Sequence, residues 1–445
     1  LQKQILNYSE NNGFPFASVR LDSIQIIENQ VFAKLFYESG SRIVFDSLII
    51  EGNSKVKKTF LVDFLRIKKG QLFSQQKVKE AENLLKTLSF VQLVKPIQSI
   101  FKYGRAFLII SINHQKTSQF DGIVGFLPNS SIDKSLQLSG QINLKLENLF
   151  ASGKSLHIDW QRLRPNSQLL KAEYIHSNFL NLKFDIQLKI NLLQEDSSFL
   201  NLNRNITFAY SLANFGKIQI FGEWRNTTAN KDSVNLFVRS QIVNTDFFAY
   251  GIGYSWQNLD NRFAPKKGWL VGAELSVGTK NSSPKKLSDS TFLFSKISSQ
   301  QWTFKTNLQY FLQTGKQSTL LFRSQIGFIG NDRLFLNELF RLGGLNLLRG
   351  FNENSFFASK YLLNTLEYRL YFEKTSSLFA FVDQGVLSYN LPSQTFADQV
   401  ISFGFGFNFA TQSGMFNFAY ALGKSANQNF NLQQSKIHFG IVNRF

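Results

Sequence analysis

The residues of this chain whose types could do chemistry are four histidines, a few paired carboxylates and a glycine-rich stretch around position 345. His114, His157, His176 and His438 are the only histidines, there is no cysteine, and no two of the histidines have metal-ligand spacing. No metal site and no cofactor is therefore expected. The adjacent acids Glu195 and Asp196 fall in an expected outer loop, where a solvated charge pair is the simpler reading than acid–base work. Gly343, Gly344 and Gly350 read as turn residues, because no Lys-Ser/Thr follows them as a phosphate-cradling loop requires. A Gly-x-Ser-x-Gly nucleophile elbow is absent. Asp383 reads as an ion-pair partner rather than a catalyst. No catalytic set remains, and the chain is not expected to be an enzyme.

Composition limits what could position such residues. The 445 residues carry a formal charge of +19, dispersed as +8 over residues 1–117 and +11 over the rest, with no basic run. That distribution argues against nucleic acid and suits positive rims facing anionic lipid or lipopolysaccharide. Aromatic residues make up 15% of the chain, including 48 Phe, yet mean hydropathy is only −0.14. No stretch approaches the roughly 18 apolar residues a spanning helix needs. Apolar side chains recur instead at every second position from Ser118 onward, the pattern of strands with one lipid face and one lumen face. The absence of cysteine suits an oxidising compartment.

The first 117 residues are patterned differently. A strand over Ile43–Ile50 leads to a helix over Lys57–Arg66, then a second helix opening after Ser74, a good N-cap residue, with Val78, Ala81, Leu84, Leu85 and Leu88 at helical spacing. Alternating segments over Phe90–Ile100 and Arg105–Asn113 close this α+β unit, assigned to residues 42–117. Residues 1–41, with a short helix and strands near Val19–Ile27 and Gln30–Tyr37, read as the C-terminal part of a similar unit, so the natural chain is expected to extend upstream.

Residues 118–445 contain 16 expected strands, beginning near Phe120, Ser135, Lys154, Gln168, Asn181, Asn205, Gly216, Phe247, Gly268, Trp302, Ser318, Ser359, Leu378, Ile401, Gly414 and Lys436. Ile401, Phe403, Phe405, Phe407 and Phe409 share the parity that must face lipid, as do Ile437, Phe439, Ile441 and Phe445 in the last strand. In hydrocarbon only a closed sheet satisfies every backbone group. If odd strands run outward, the longest connection, residues 330–357, is an outer loop. It is rich in leucine, phenylalanine and glycine, so it is expected to fold back into the barrel lumen.

Two motifs carry a resemblance. Arg341-Leu342-Gly343-Gly344-Leu345-Asn346-Leu347-Leu348-Arg349-Gly350-Phe351 is similar to the glycine pair and Arg-Gly-Phe loop tip of the BamA/TamA superfamily of outer-membrane assembly factors and polypeptide transporters. Phe381-Val382-Asp383-Gln384-Gly385 resembles that family's lumen strand, with Phe381, Asp383 and Gly385 on one face. Leu348 departs from the family, which often has Val there. Asn148–Gly153, the Asp260–Gly268 turn, Asn364–Arg369 and the terminal Phe445 support the likeness, and the 42–117 unit resembles a POTRA domain. The resemblance implies a transmembrane antiparallel β-barrel of about 16 strands preceded by α+β POTRA-type periplasmic domains. It also implies that Arg349 pairs with Asp383, a role that guanidinium geometry suits.

The expected place of action is the seam between the first strand, with Gly122, Gly125 and the stop at Pro128, and the last, with Phe439, Gly440 and Phe445. Few hydrogen bonds there would make an edge open to β-augmentation, although the glycines would equally serve curvature. The leading expectation is a bacterial outer-membrane assembly factor that inserts client barrels through this lateral gate. Its partners would be unfolded outer-membrane proteins, lipid and lipopolysaccharide, with accessory periplasmic or lipoprotein subunits possible. The alternatives are a two-partner-secretion-type translocation pore and a passive channel.

Overall fold

The computed structural model describes residues 1–28, 30–128, 136–164, 167–181, 184–195, 198–212, 215–229, 242–261, 264–283, 286–288, 291–292, 297–392, 394–411 and 414–444. It divides into two compact units, one of Leu1–Thr117 with Glu147–Lys154 and Ser177–Lys183, the other of the remaining residues. Asp196 and Phe445 lie outside the described residues.

The first unit opens with α1 (Gln2–Asn11) and a hairpin of β1 (Ser18–Ile27) and β2 (Gln30–Glu38). Then come β3 (Val44–Glu51), α2 (Lys58–Leu65), α3 (Gln75–Thr87), β4 (Val91–Leu93), β5 (Gln98–Lys102) and β6 (Arg105–His114). Strand β6 pairs parallel with β3 and antiparallel with β4 and β5. The helical spacing of α3 turns Val78, Ala81, Leu84 and Leu85 into a core shared with Leu61 of α2 and Leu108, Ile110 and Ile112 of β6. Ser74 caps α3 by accepting the Lys77 N–H at 3.3 Å. The hydroxyl of Ser74 and the Gln76 N–H both donate to the Asn11 side chain, which ties the end of α1 to the start of α3.

The single strand expected over Phe90–Ile100 is two. Pro96 offers no N–H to a ladder, and the Ile97 N–H turns aside to the Glu82 carboxylate at 2.7 Å. The chain bends there, and β4 and β5 pair with different stretches of β6.

The second unit is built from sixteen long antiparallel strands: β7 (Gln119–Pro128), β8 (Leu136–Leu149), β9 (Lys154–Arg164), β10 (Ser167–His176), β11 (Phe184–Glu195), β12 (Phe199–Ser211), β13 (Lys217–Ala229), β14 (Asn244–Gln257) and β15 (Gly268–Ser283) begin the series. A small hairpin of β16 (Lys286–Ser288) and β17 (Thr291–Phe292) stands outside the sheet, which continues with β18 (Ile297–Gln313) and β19 (Ser318–Gly330). A second small hairpin, β20 (Phe340–Leu342) with β21 (Phe356–Ala358), lies in the long connection before β22 (Lys360–Tyr371). The last strands are β23 (Ser377–Leu391), β24 (Gln394–Thr411), β25 (Gly414–Lys424) and β26 (Lys436–Arg444). Each long strand pairs with its successor, and β26 returns to β7. Strands β12 and β24 begin earlier than their apolar alternation suggests, because Arg204 interrupts the outward apolar row of β12 and Gln399 that of β24.

Two-residue periodicity sets the faces. On β24, Ile401, Phe403, Phe405, Phe407 and Phe409 are exposed on the outside, whereas Ser402 is wholly buried. Phe381 of β23 lies over Gly404, and Phe379 over Gly406, where any added Cβ would meet the ring within 2.7 Å. Ile437 is exposed on β26. Among the described residues no helix is long and apolar enough to cross a membrane.

Candidate functional site

The inner face of β19, β22, β23, β24 and β25 carries a cross-strand row. Arg323 stands opposite Thr365, Thr365 opposite Asp383, Asp383 opposite Ser402, and Ser402 opposite Gly423. The neighbouring row holds Glu367, Phe381, Gly404 and Ala421. Side chains shrink from β23, with Asp383 and Phe381, to β24 and β25, with Ser402, Gly404, Ala421 and Gly423, leaving a trough on the β24–β25 side.

The tip of the 331–359 connection occupies that trough. Leu348 is fully buried with Leu342, Phe351, Ala358, Leu363, Leu387 and Val400. A Cβ at Gly350 would sit about 3 Å from Gly423, Leu422 and Ser402, so only glycine lets the tip approach β24 and β25 this closely. Gly343 and Gly344 have φ of +122° and +85°, and a Cβ on Gly344 would coincide with the Glu353 carboxyl group.

Arg349 brings the charge. Its Nε and Nη2 donate to the two Asp383 carboxylate oxygens at 2.9 and 2.8 Å, and its backbone N–H reaches the same group at 3.2 Å. Nη1 donates to Glu367, and the guanidinium lies 3.4 Å from the centroid of the Phe381 ring. Burial alone would lower the Arg349 pKa, but hydrogen bonding and charge from Asp383, with Glu367, raise it above the ordinary value. The strand residues complete the network: Thr365 donates to Asp383 at 2.8 Å, Arg323 to Thr365 at 3.0 Å, and Arg369 to Glu367 at 2.6 Å. Of these five charges, Arg323, Arg369, Glu367 and Asp383 belong to the strands and balance one another. Arg349 is the surplus cation delivered by the loop.

A second buried contact holds the root of the connection. Lys280 of β15 donates to Glu338 at 3.0 Å, to Asn331 at 3.1 Å and to the Arg333 carbonyl at 2.5 Å. Glu338 also accepts the Phe335 N–H at 2.8 Å, yet burial keeps its pKa raised. Farther along, the half-buried Glu353 accepts the Leu345 N–H at 2.9 Å, and its pKa too is raised by burial.

Sequence reasoning named Arg349, Asp383, Phe381, Gly343, Gly344, Gly350 and Phe351, and these meet around the tip; Gly385 lies beneath Leu348. It did not single out Arg323, and it quoted Asn364–Arg369 only as supporting the likeness, without a site role for Thr365, Glu367 or Arg369; these three share one parity of a strand whose other parity, past Asn364, is apolar. The Lys280–Glu338 contact joins residues 58 apart and left no local trace.

The seam departs from what the sequence suggests. Among the described residues β26 meets β7 only where Asn443 faces Phe120 and Arg444 faces Gln119. Gly122 and Gly125 pair with Ile142 and Ser139 of β8, and Phe439 and Gly440 with Phe418 and Asn417 of β25. None of these four residues pairs across the seam, because the register places the contact at the first residues of β7 and the last of β26. By contrast β13 and β14 stay in register from Lys217–Ser255 to Thr227–Thr245.

An α+β unit followed by a ring of sixteen strands with a loop tip on its inner wall is a plan shared with known proteins. The Omp85 superfamily domain matches residues 148–445, more than half of the chain. The chain belongs to the Omp85 superfamily. A POTRA family described as a surface antigen variable number repeat matches residues 43–96. The barrel is therefore an outer-membrane one and the POTRA-type unit periplasmic; proteins of this family act on protein clients. Among solved structures the chain is similar to BamA from Haemophilus ducreyi lacking POTRA domains 1–3, at 15% identity and a TM-score of 0.54, covering all of this chain and 92% of that one. It is also similar to CdiB from Acinetobacter baumannii, at 14% identity and 0.60, and to CdiB from Escherichia coli, at 11% and 0.60. All of this chain is covered in both, with 81% and 83% of theirs. At these identities the likeness is one of fold. No curated protein sequence matches the chain.

Proposed function

We propose that this Omp85 protein is an assembly factor that folds and inserts client β-barrel proteins, using the β7–β26 seam as a lateral gate. The observation that carries this reading is that, among the described residues, the seam pairs at Asn443–Phe120 and Arg444–Gln119 alone. Most of the length of β7 and β26 then keeps unpaired edge groups on the seam side, which template an incoming strand by β-augmentation. The reaction needs no nucleotide, since burial of the client's lipid face and closure of its sheet supply the free energy.

In the same reading the 331–359 connection is a lumen-inserted loop latched by Arg349. The strand charges sum to zero without Arg349, but Asp383 is then left with the Thr365 hydroxyl in place of a cation, so the latch opens only against the cost of a buried, unpaired carboxylate. Residues 42–117 are the POTRA domain that receives clients, residues 1–41 the C-terminal part of another, and residues 118–445 the barrel.

A translocation pore of the two-partner-secretion type is the second reading, favoured by the same latched loop acting as a plug. Depletion of the protein followed by an inventory of the outer membrane separates the two. Assembly predicts a broad fall in folded barrel proteins with unfolded forms accumulating in the periplasm. Loss of one exported polypeptide with an unchanged barrel inventory would overturn it in favour of the pore.

A further inference from the structure

The outward face of β12 carries an arginine among apolar neighbours. Arg204 is exposed, with Leu200 and Leu202 beyond it on the same face and Ile206 and Phe208 below it. Across the ladders it stands opposite Ile190 on β11 and Trp224 on β13, both exposed to the same side. An ionisable side chain within a lipid-facing band is unfavourable unless a partner meets it, and such a residue marks a site. Among the described residues its hydrogen-bond partner is the Asn226 side-chain oxygen, a neutral group, and the Asn226 amide in turn donates to Asp246 at 2.6 Å.

Directly below lies a hollow. Ile206, Gly222, Tyr250, Val277 and Trp302 form one cross-strand row on the outer face. Gly222 contributes no side chain to that row; the Trp224 ring covers part of the place a Cβ would take, and Gly222 lines a depression of about 530 Å³ with Ile220, Tyr250, Ile252, Leu275 and Trp302. Trp224 and Phe248, with ring centroids 5.3 Å apart, stand beside Arg204 in the next row outward. Counting from β7, β12 is the sixth strand and runs back toward the periplasm, so Arg204 lies on the outer-leaflet side of the hollow.

A cation above an apolar cleft, inside a bilayer, matches an amphiphile with an anionic head and acyl chains. We propose that β12–β15 and β18 hold a specific site for the phosphorylated glycolipid of the outer leaflet, with Arg204 taking a phosphate and the hollow taking an acyl chain. A bound phosphate gives the guanidinium an opposite charge and a bidentate acceptor, neither of which the neutral Asn226 side-chain oxygen supplies. The site lies away from β7 and β26 and stands whether or not the seam opens.

Native mass spectrometry of the purified chain tests this, with diphosphorylated lipid A, its dephosphorylated form and phosphatidylglycerol added separately. The wild type is expected to retain diphosphorylated lipid A about tenfold better than the dephosphorylated form, the size of one hydrogen bond to a charged group. Arg204→Gln should erase that preference, and Gly222→Leu should lower retention of both glycolipids. If Gly222→Leu fails to fold, as read by heat-dependent gel mobility, Val277→Trp takes its place. Arg204→Gln protein that keeps the phosphate preference would overturn the proposal, as would hollow-filled protein that binds like the wild type. Phosphatidylglycerol retained as well as lipid A would overturn the glycolipid assignment.

Discussion

Arg349 and Asp383 meet through three hydrogen bonds, two from the guanidinium and one from the Arg349 backbone N–H. The pairing joins a loop tip to a strand, fixing position and direction together, because both carboxylate oxygens are engaged in a plane over Phe381. Breaking one partner of a buried pair costs roughly 3–5 kcal/mol. Arg349→Glu is therefore expected to detach the tip. The chain has no native cysteine, so labelling of a Leu348→Cys reporter, buried in the parent, reads the release directly. Asp383→Arg should do the same, and the double exchange should recover part of the protection. Complete recovery is not expected, since the exchanged side chains differ in length and Glu367 still favours a cation from the loop.

Gly344 gives a second test of the loop, through shape. Its φ of +85° and the Glu353 carboxyl group in the space a Cβ would occupy leave room for glycine alone. Gly344→Ala adds left-handed strain of about 1–2 kcal/mol and pushes Glu353 from the Leu345 N–H. The expected outcome is faster Leu348→Cys labelling with an unchanged barrel, measured by heat-dependent gel mobility. Labelling at the parent rate would show that the glycine pair does not shape the tip.

Glu353 makes tip protection depend on pH. Burial raises its pKa above 4.5 in the folded loop, and the Leu345 N–H only partly offsets this. The folded loop therefore holds the proton more tightly than the released loop. Its stabilising contribution is complete below about pH 4.5, the ordinary value, and is lost as pH rises through the raised value. Labelling at Leu348→Cys, corrected for thiol ionisation, should accelerate over that window in the parent. Glu353→Gln should reduce the acceleration, leaving the part that the buried Glu338 contributes, and an unchanged profile in this variant would remove Glu353 from the account.

The legible and hidden parts of this protein divide along physical lines. Sixteen strands could be placed because lipid on one side forces apolar residues to every second position, as in Ile401 to Phe409. The POTRA-type helices could be placed from the spacing of Val78, Ala81, Leu84 and Leu85. Arg349 and Asp383 were legible through their motifs, whereas Glu367 and Arg369 stood out only as part of Asn364–Arg369, and the strand parity that turns them toward Arg349 was there to be read. The split between β4 and β5 depended on the Ile97 N–H finding Glu82, a contact that no local pattern encodes. Seam register was hidden for the same reason: it is set where the two ends of the barrel meet, so glycines in β7 gave the place and not the pairing.

The central claim is that clients enter by strand addition where β7 and β26 part, and locking that edge tests it most directly. Phe120 faces Asn443 and Gln119 faces Arg444, so a cysteine pair at Phe120 and Asn443, with the Gln119 and Arg444 pair as the alternative, is placed to bridge the seam. With no other cysteine present, any disulfide within one chain is the lock. Purified locked protein in vesicles is predicted to stop inserting an unfolded client barrel, with insertion returning on reduction. Client insertion at the unlocked rate by fully oxidised protein would contradict the account.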